Sequence, residues 1–564
     1  MRTRRLATSV LLGALAVAGC GRKEPGGSGG GSLEISSDGP WAHDTDFRPE
    51  DVKIGGQVVL AMLSDPDSLN PYLSTSADTN DLLHQVFPRL MEEAPDFAKG
   101  PPEFHPYLAE SWKQSEDERK ITFKLRPDAY WSDGVPITAE DVRFSWATAK
   151  DKDVAWSGNS IKDFITNVVV VDPKTVTLEY SEVYPYQLMD ANDGDIVPAH
   201  VFGKIPYADW KTKGSWTAEA GVGGGPYRVV EYVSQQQVVL EANPRYWRKG
   251  FPRIPKIVVR VIKDQDGMRD AFLSGGTDVL YTARPQDVKR YQETGRYRFF
   301  KHASRAFTYV GWNCERAPTD DRDVRRAFTL AINRADLVES LYYGFAKVGV
   351  SPIIRAFWAH DPSLEPWPYD PEEAKRLLDS KGWKPGPDGV RTKDGRRLAL
   401  TATTNAGNQM RVQALTRIQA NLREVGADVK IEQVEHTTWV ERLRTHDVDA
   451  WYGGWNVATK IDEKPTWHSA SRGRDGFNWG SYVNPRVDEI IDQARVMTDF
   501  DAAKPLWREF ERIVHEDQPY TFVAEPMQLN FYRREIRNVK STAAPGPYAN
   551  LEEWWLEGGV APPR

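Results

Sequence analysis

Two cysteines, Cys20 and Cys314, are all that 564 residues contain, so neither a disulfide framework nor a paired CxxC motif can be built. An excess of positive charge is missing too. The 73 Lys and Arg stand against 80 Asp and Glu, a formal charge of −7. That balance argues against broad nucleic-acid binding, which needs clustered cations to neutralise phosphates. No internal run reaches the ~20 apolar residues of a membrane helix. Complete Walker and HExxH motifs are absent as well. Aromatic residues, by contrast, are plentiful: 20 Trp, 22 Tyr and 21 Phe within a chain that is 40% hydrophobic. Such a composition excludes disorder for most of the chain and supports a core without cross-links. At roughly 150 residues per domain, the length allows about three or four structural units.

Several near-motifs lack a required residue or spacing. Gly221-Val222-Gly223-Gly224-Gly225-Pro226 resembles part of a dinucleotide fingerprint, but Pro226 stands where a glycine must let the backbone approach, so it reads as a turn. His436 and His446 are not spaced for one helix face and read as structural or surface residues. The paired acids Asp320-Asp321 and Glu552-Glu553 could serve glycoside hydrolysis, yet sequence neighbours are not spatial partners. No catalytic constellation, cofactor site or metal site emerges, which favours a binding protein over an enzyme.

The N-terminus points to export. Arg2, Arg4 and Arg5 precede an uncharged apolar run over residues 6–19, the order of a secretory signal peptide. The run ends Val17-Ala18-Gly19-Cys20, which resembles a bacterial lipobox and implies a lipid anchor on Cys20 of the processed chain. Glycine and serine dominate the stretch after Cys20, so residues 20–51 are expected to form a flexible tether. Cys314 would then have no partner and reads as a buried structural thiol.

Along the globule, residues 57–63, 121–125, 237–241 and 257–262 read as strands, and 168–180 as a hairpin turning at Asp172-Pro173. From Asp264 onward strands and helices alternate. Helices are expected at 268–273, closed by Gly275-Gly276; at 323–342; after the Asp370-Pro371 start to Gly382; and at 409–425, 438–443, 485–497 and 502–515. Strands at 398–403, 428–434 and 448–452 lie between them. This alternation predicts α/β layers with a largely parallel sheet.

Several stretches, in order, resemble the large extracellular solute-binding proteins of bacterial ABC importers, the peptide- and nickel-binding family. They are Asp65-Pro66-Asp67-Ser68-Leu69-Asn70-Pro71, the segment 123–142 (FKLRPDAYWSDGVPITAEDV), Gly224-Gly225-Pro226-Tyr227 with Asn243-Pro244-Arg245-Tyr246-Trp247, and Leu273-Ser274-Gly275-Gly276-Thr277-Asp278. DVRRAFTLAINRAD at 323–336, YDPEEAKRLLDSKGW at 369–383 and Gly453-Gly454-Trp455 complete the series. Each also has a scaffold reading: Asp133-Gly134 makes a turn, and Thr138 to Asp141 starts a capped helix.

The resemblance implies an α/β, two-lobed periplasmic-binding-protein fold of type II in its large three-domain form, with mixed sheets and hinge crossovers. Lobe I would comprise 52–77, 221–303 and 519–564, with an inserted subdomain at 78–220; lobe II would be 304–518. It further implies a monomer without cofactor that closes on a solute, foremost an oligopeptide, and docks on permease subunits. Ligand contacts would come from Tyr72, Ser74 and Thr75, from Phe307 and Tyr309, and from Trp439, Tyr452, Gly454, Trp455, Asn456 and Asp462. Trp451 reads as core. Peptide-binding members carry an aspartate three residues after the GW tryptophan; here that residue is Ala458, and Asp462 is the nearest acid in sequence. Sugars, opines or metal chelates therefore stay open as cargo. A saccharide hydrolase or a sensor lipoprotein are the readings outside the importer class.

Overall fold

The computed structural model describes residues 33–44, 52–213, 221–474 and 476–558. Cys20, the leader and most of the expected tether lie outside them.

One long sheet spine organises the molecule. Tyr520–Arg533 pairs antiparallel with Ala306–Trp312 through its first half and with Tyr297–Ala303 through its second. The chain therefore crosses between the lobes twice side by side, at Ser304-Arg305 and at Glu525-Pro526. Ser304 ties the crossings together: its hydroxyl donates to the Pro526 carbonyl at 2.6 Å. Because Tyr520 to Phe522 pair with second-lobe strand Ala306–Trp312, lobe II runs past the expected boundary at 518 to about the second crossing.

Lobe I carries the sheet Tyr227–Val233, Gln237–Ala242, Lys256–Val261 and Gln57–Met62, the last pair parallel. The inserted subdomain is an antiparallel sheet, ordered Ala109–Gln114, Lys120–Leu125, Thr175–Tyr180, Ile165–Asp172, with helix Ala139–Lys150 packed on it. The expected hairpin turns at Asp172-Pro173. Thr138 and Asp141 form a reciprocal capping box. Gly134 takes φ +94 in the turn before it. Two of the scaffold stretches also pack on each other. A Cβ on Gly224 would lie 2.9 Å from the Trp131 ring, so only glycine lets that backbone cross the tryptophan.

Lobe II alternates strand and helix as its sequence period predicts, but its sheet is mixed. Ala399–Asn405 runs parallel to Asp428–Val434 and Ala450–Asn456, whereas Ala306–Trp312 is antiparallel. Both faces are buried. Tyr309 and Trp451 enter one apolar cluster, Val310, Trp312 and Tyr452 the other, as the two-residue strand period requires. The single helical stretch expected at 323–342 is two helices, Arg322–Ala331 and Arg334–Tyr342. The backbone turns extended at Ile332, and the Asn333 side chain caps the second. Cys314 packs in this lobe with its thiol toward the Trp312 carbonyl, and burial raises its pKa.

The tether expectation needs a correction. Leu33–Ser36 adds parallel to Tyr297–Ala303, and Trp41–His43 pairs with Lys540–Thr542. The Asp44 carboxylate then meets the buried Arg298 guanidinium, accepting from Nη2 at 2.8 Å. Composition alone placed this short segment in the coil; its pairing partners lie more than two hundred residues away.

Candidate functional site

The two lobes are closed on one another. The loop that follows strand Ala450–Asn456 of lobe II lies on the inserted subdomain: the Thr459 hydroxyl donates to Glu93 at 3.3 Å and the Ile461 N–H to the Tyr186 hydroxyl at 3.0 Å. Lys460 Nζ stands 3.5 Å from the Asp190 carboxylate and over the rings of Tyr184 and Tyr186. Farther along, Phe97 of the subdomain enters a lobe II core cluster, edge-on to Phe357, and its carbonyl accepts from the Trp358 N–H.

Beneath this contact, beside the crossings, lie two adjoining cavities of about 570 and 100 Å³. The larger is walled by Met62, Asp78, Met268, Tyr281, the crossover residue Arg305 and, from lobe II, Asn456. The smaller extends toward Arg89, Glu92, Glu93 and Glu552. Asp81, Gly546 and Tyr548 belong to both. Helix Ala77–Leu83, capped by Ser76, brings Asp78 and Asp81 to this wall one turn apart. Burial pushes the Asp81 carboxyl up to about 6 and raises that of Glu93; for Asp81, the neighbouring His84, Arg89 and Arg305 act in the opposite sense. Arg305 is fixed by the Ala543 and Val457 carbonyls at 2.8 and 3.1 Å. The wall is thus predominantly acidic, with aromatic faces beside the acids.

Of the eleven residues expected to touch ligand, Asn456 lines the larger cavity. The others have identifiable local work. Ser74 and Thr75 donate to the Asp67 carboxylate and close the entry turn, and the Tyr72 hydroxyl donates to the Asp195 carbonyl at 2.7 Å. Phe307 and Tyr309 are buried, Tyr309 stacked on Tyr520 with ring centroids 4.0 Å apart. Trp439 donates to Thr403 beneath the Arg411 guanidinium, and the Tyr452 hydroxyl donates to Thr308. Gly454 lies where a Cβ would approach the Phe307 carbonyl at 3.3 Å. Trp455 is partly exposed and packs on Trp479 and Phe477. Asp462 is held by Arg495 at 3.2 and 3.3 Å and accepts from the Lys464 N–H.

The cavity acids Asp78, Asp81 and Glu93 escaped the sequence reading. Their one signal was two acids three residues apart just after a helix cap, a pattern that otherwise reads as dipole stabilisation. Asp190, Tyr184 and Tyr186 gave no signal, because their partner Lys460 is distant in sequence.

The comparisons with known proteins agree on one family. The model of the bacterial extracellular solute-binding proteins, family 5 (its middle region), matches residues 103–477, well over half of the chain. The oligopeptide-binding protein AppA of Bacillus subtilis is 27% identical over 520 residues, covering 89% of this chain and 92% of its own. Its structure in complex with a nonapeptide superposes with a TM-score of 0.71 over 90% of this chain and 99% of that one, at 25% identity. NikA of Brucella suis, solved with Fe(III)-EDTA, has a TM-score of 0.74 at 23% identity, covering 87% of this chain and 98% of its own, and so shares the fold. With two lobes, paired crossings and a cavity between them, this chain belongs to the bacterial extracellular solute-binding proteins of family 5.

Proposed function

We propose that this protein is the substrate-binding lipoprotein of an ABC importer, capturing an oligopeptide between its lobes and presenting the closed form to membrane permease subunits. The observation that carries the reading is a cavity walled by residues of both lobes where they meet beside a paired crossing, the geometry by which ligand contacts tip an open–closed equilibrium. Kinship with the Bacillus subtilis oligopeptide-binding protein supports peptide as cargo. Enclosure strengthens backbone hydrogen bonds to such a ligand, because water is expelled. Cys20, outside the described residues, is the proposed lipid attachment, and the globule is proposed to act as a monomer without catalysis.

Native mass spectrometry of the purified chain after incubation with a mixed peptide library tests this. Retention of intact peptides at one per chain is expected; cleavage of the bound compounds, or retention of none, refutes the reading. Cys20→Ser is expected to abolish lipidation, and a variant that still acquires the acylated mature mass overturns the anchor.

A further inference from the structure

We propose that the cleft takes the ammonium group of its cargo on the lobe I carboxylates Asp81 and Asp78. The inference rests on the peptide reading above and deepens it.

Asp81 stands where the two cavities meet, yet among the described residues no hydrogen-bond donor or ion-pair partner reaches its carboxylate. The cations nearest to it are engaged elsewhere. His84 and Arg89 both address Asp195, at 2.8 and 3.4 Å, and Arg305 is spread over two backbone carbonyls. On its own helix Asp78 adds like charge, and Glu93 contributes a further carboxyl beside Arg305. Gly546 backs the group so closely that a Cβ there would stand 2.8 Å from Oδ1, which leaves the cavity as its open side.

An isolated carboxylate withdrawn from water is unfavourable unless a cation pairs with it. An ammonium in the cavity supplies that cation. The surroundings fit it: Tyr281 and Tyr548 lie beside Asp81 and meet edge to face at 5.4 Å, offering π-faces to a cation. Asn456, two residues before Ala458, reaches the same cavity from lobe II and brings a neutral amide. In the second lobe the loop after Ala458 is occupied with Glu93, Asp190 and Tyr186, and its own acid Asp462 with Arg495.

Isothermal titration of the full chain decides the matter, with tetraalanine, N-acetyl-tetraalanine, and N-acetyl-tetraalanine extended by lysine as probes. Wild type is expected to bind tetraalanine roughly 30-fold or more tighter than its acetylated form, and Asp81→Asn to lose that discrimination. Recovery with the lysine-extended probe alone assigns the site to a basic side chain; preference for tetraalanine assigns it to the amino terminus. Equal binding of all three probes by wild type overturns the inference while leaving the peptide reading intact, as does discrimination retained by Asp81→Asn. A protein that binds none of them overturns both. Unliganded Asp81→Asn should melt no lower than wild type, since it loses an unpaired charge; a lower melting temperature marks a structural role and counts against the proposal. A further arm needs no variant. Because ammonium binding requires the ionised carboxylate, affinity of wild type for the preferred probe should fall as pH drops through about 6, with proton release seen as buffer-dependent heat. Flat affinity from pH 7.5 to 5 would exclude the assignment.

Discussion

Lys460 of the second lobe and Asp190 of the inserted subdomain stand 3.5 Å apart, 270 residues distant in sequence, with two tyrosine rings beneath the ammonium. The pair exists only while the lobes are together. Its partners are built for the contact, since the Tyr184 hydroxyl already donates to Asp190 at 2.6 Å and orients it. A cation over aromatic faces with a buried carboxylate gains on the order of 0.5–2 kcal/mol.

Lys460→Ala should therefore shift the unliganded protein toward the open form and weaken ligand binding by roughly 2- to 30-fold, without changing which ligands are preferred. Small-angle scattering of the unliganded variant should show a larger radius of gyration. A wild-type profile would mean that the clasp contributes nothing to closure.

Asp462→Asn is expected to cost about 0–1 kcal/mol of stability, because its bond to Arg495 is partly exposed. Its effect on tetraalanine affinity should be far smaller than that of Asp81→Asn. Equal losses for the two variants would restore Asp462 as an amine anchor.

Asp44→Ala leaves the buried Arg298 guanidinium without its carboxylate, a change worth roughly 3–5 kcal/mol. Burial already holds Arg298 down at about 10, which marks how little solvent reaches it. Chemical denaturation should show the loss in full. Removal of residues 1–44 should destabilise to a similar degree, and stability unchanged by that truncation would show that the segment adds nothing to the globule.

Glu463 gives a pH signature with a definite sign. Burial, with Asp462 adding repulsion, pushes its carboxyl up to about 8. The folded state then holds a proton that the unfolded chain releases above about 4.3, so stability falls as pH rises from there to about 8. Glu463→Gln should remove this fall and leave the variant the more stable protein at pH 8, by on the order of a kcal/mol or more. Thermal melts at pH 5 and pH 8 check it; parallel behaviour of variant and wild type would refute the assignment.

Most of the scaffold was legible in the chain because its determinants are local. The Asp370 cap before Pro371, the left-handed Gly275 after Ser274 and the Thr138–Asp141 capping box each need only a few neighbouring residues, and each stands where the sequence places it. The family could be named for the same reason, since its stretches are such local devices in a set order. Tertiary structure alone decided the rest. That Leu33–Ser36 is a strand depends on an open edge at Tyr297–Ala303; that Asp81 has no partner among the described residues depends on where Asp195 and two backbone carbonyls hold the nearby cations. A carboxylate's role is set by the groups that share its low-dielectric surroundings, and no spacing along the chain carries that information.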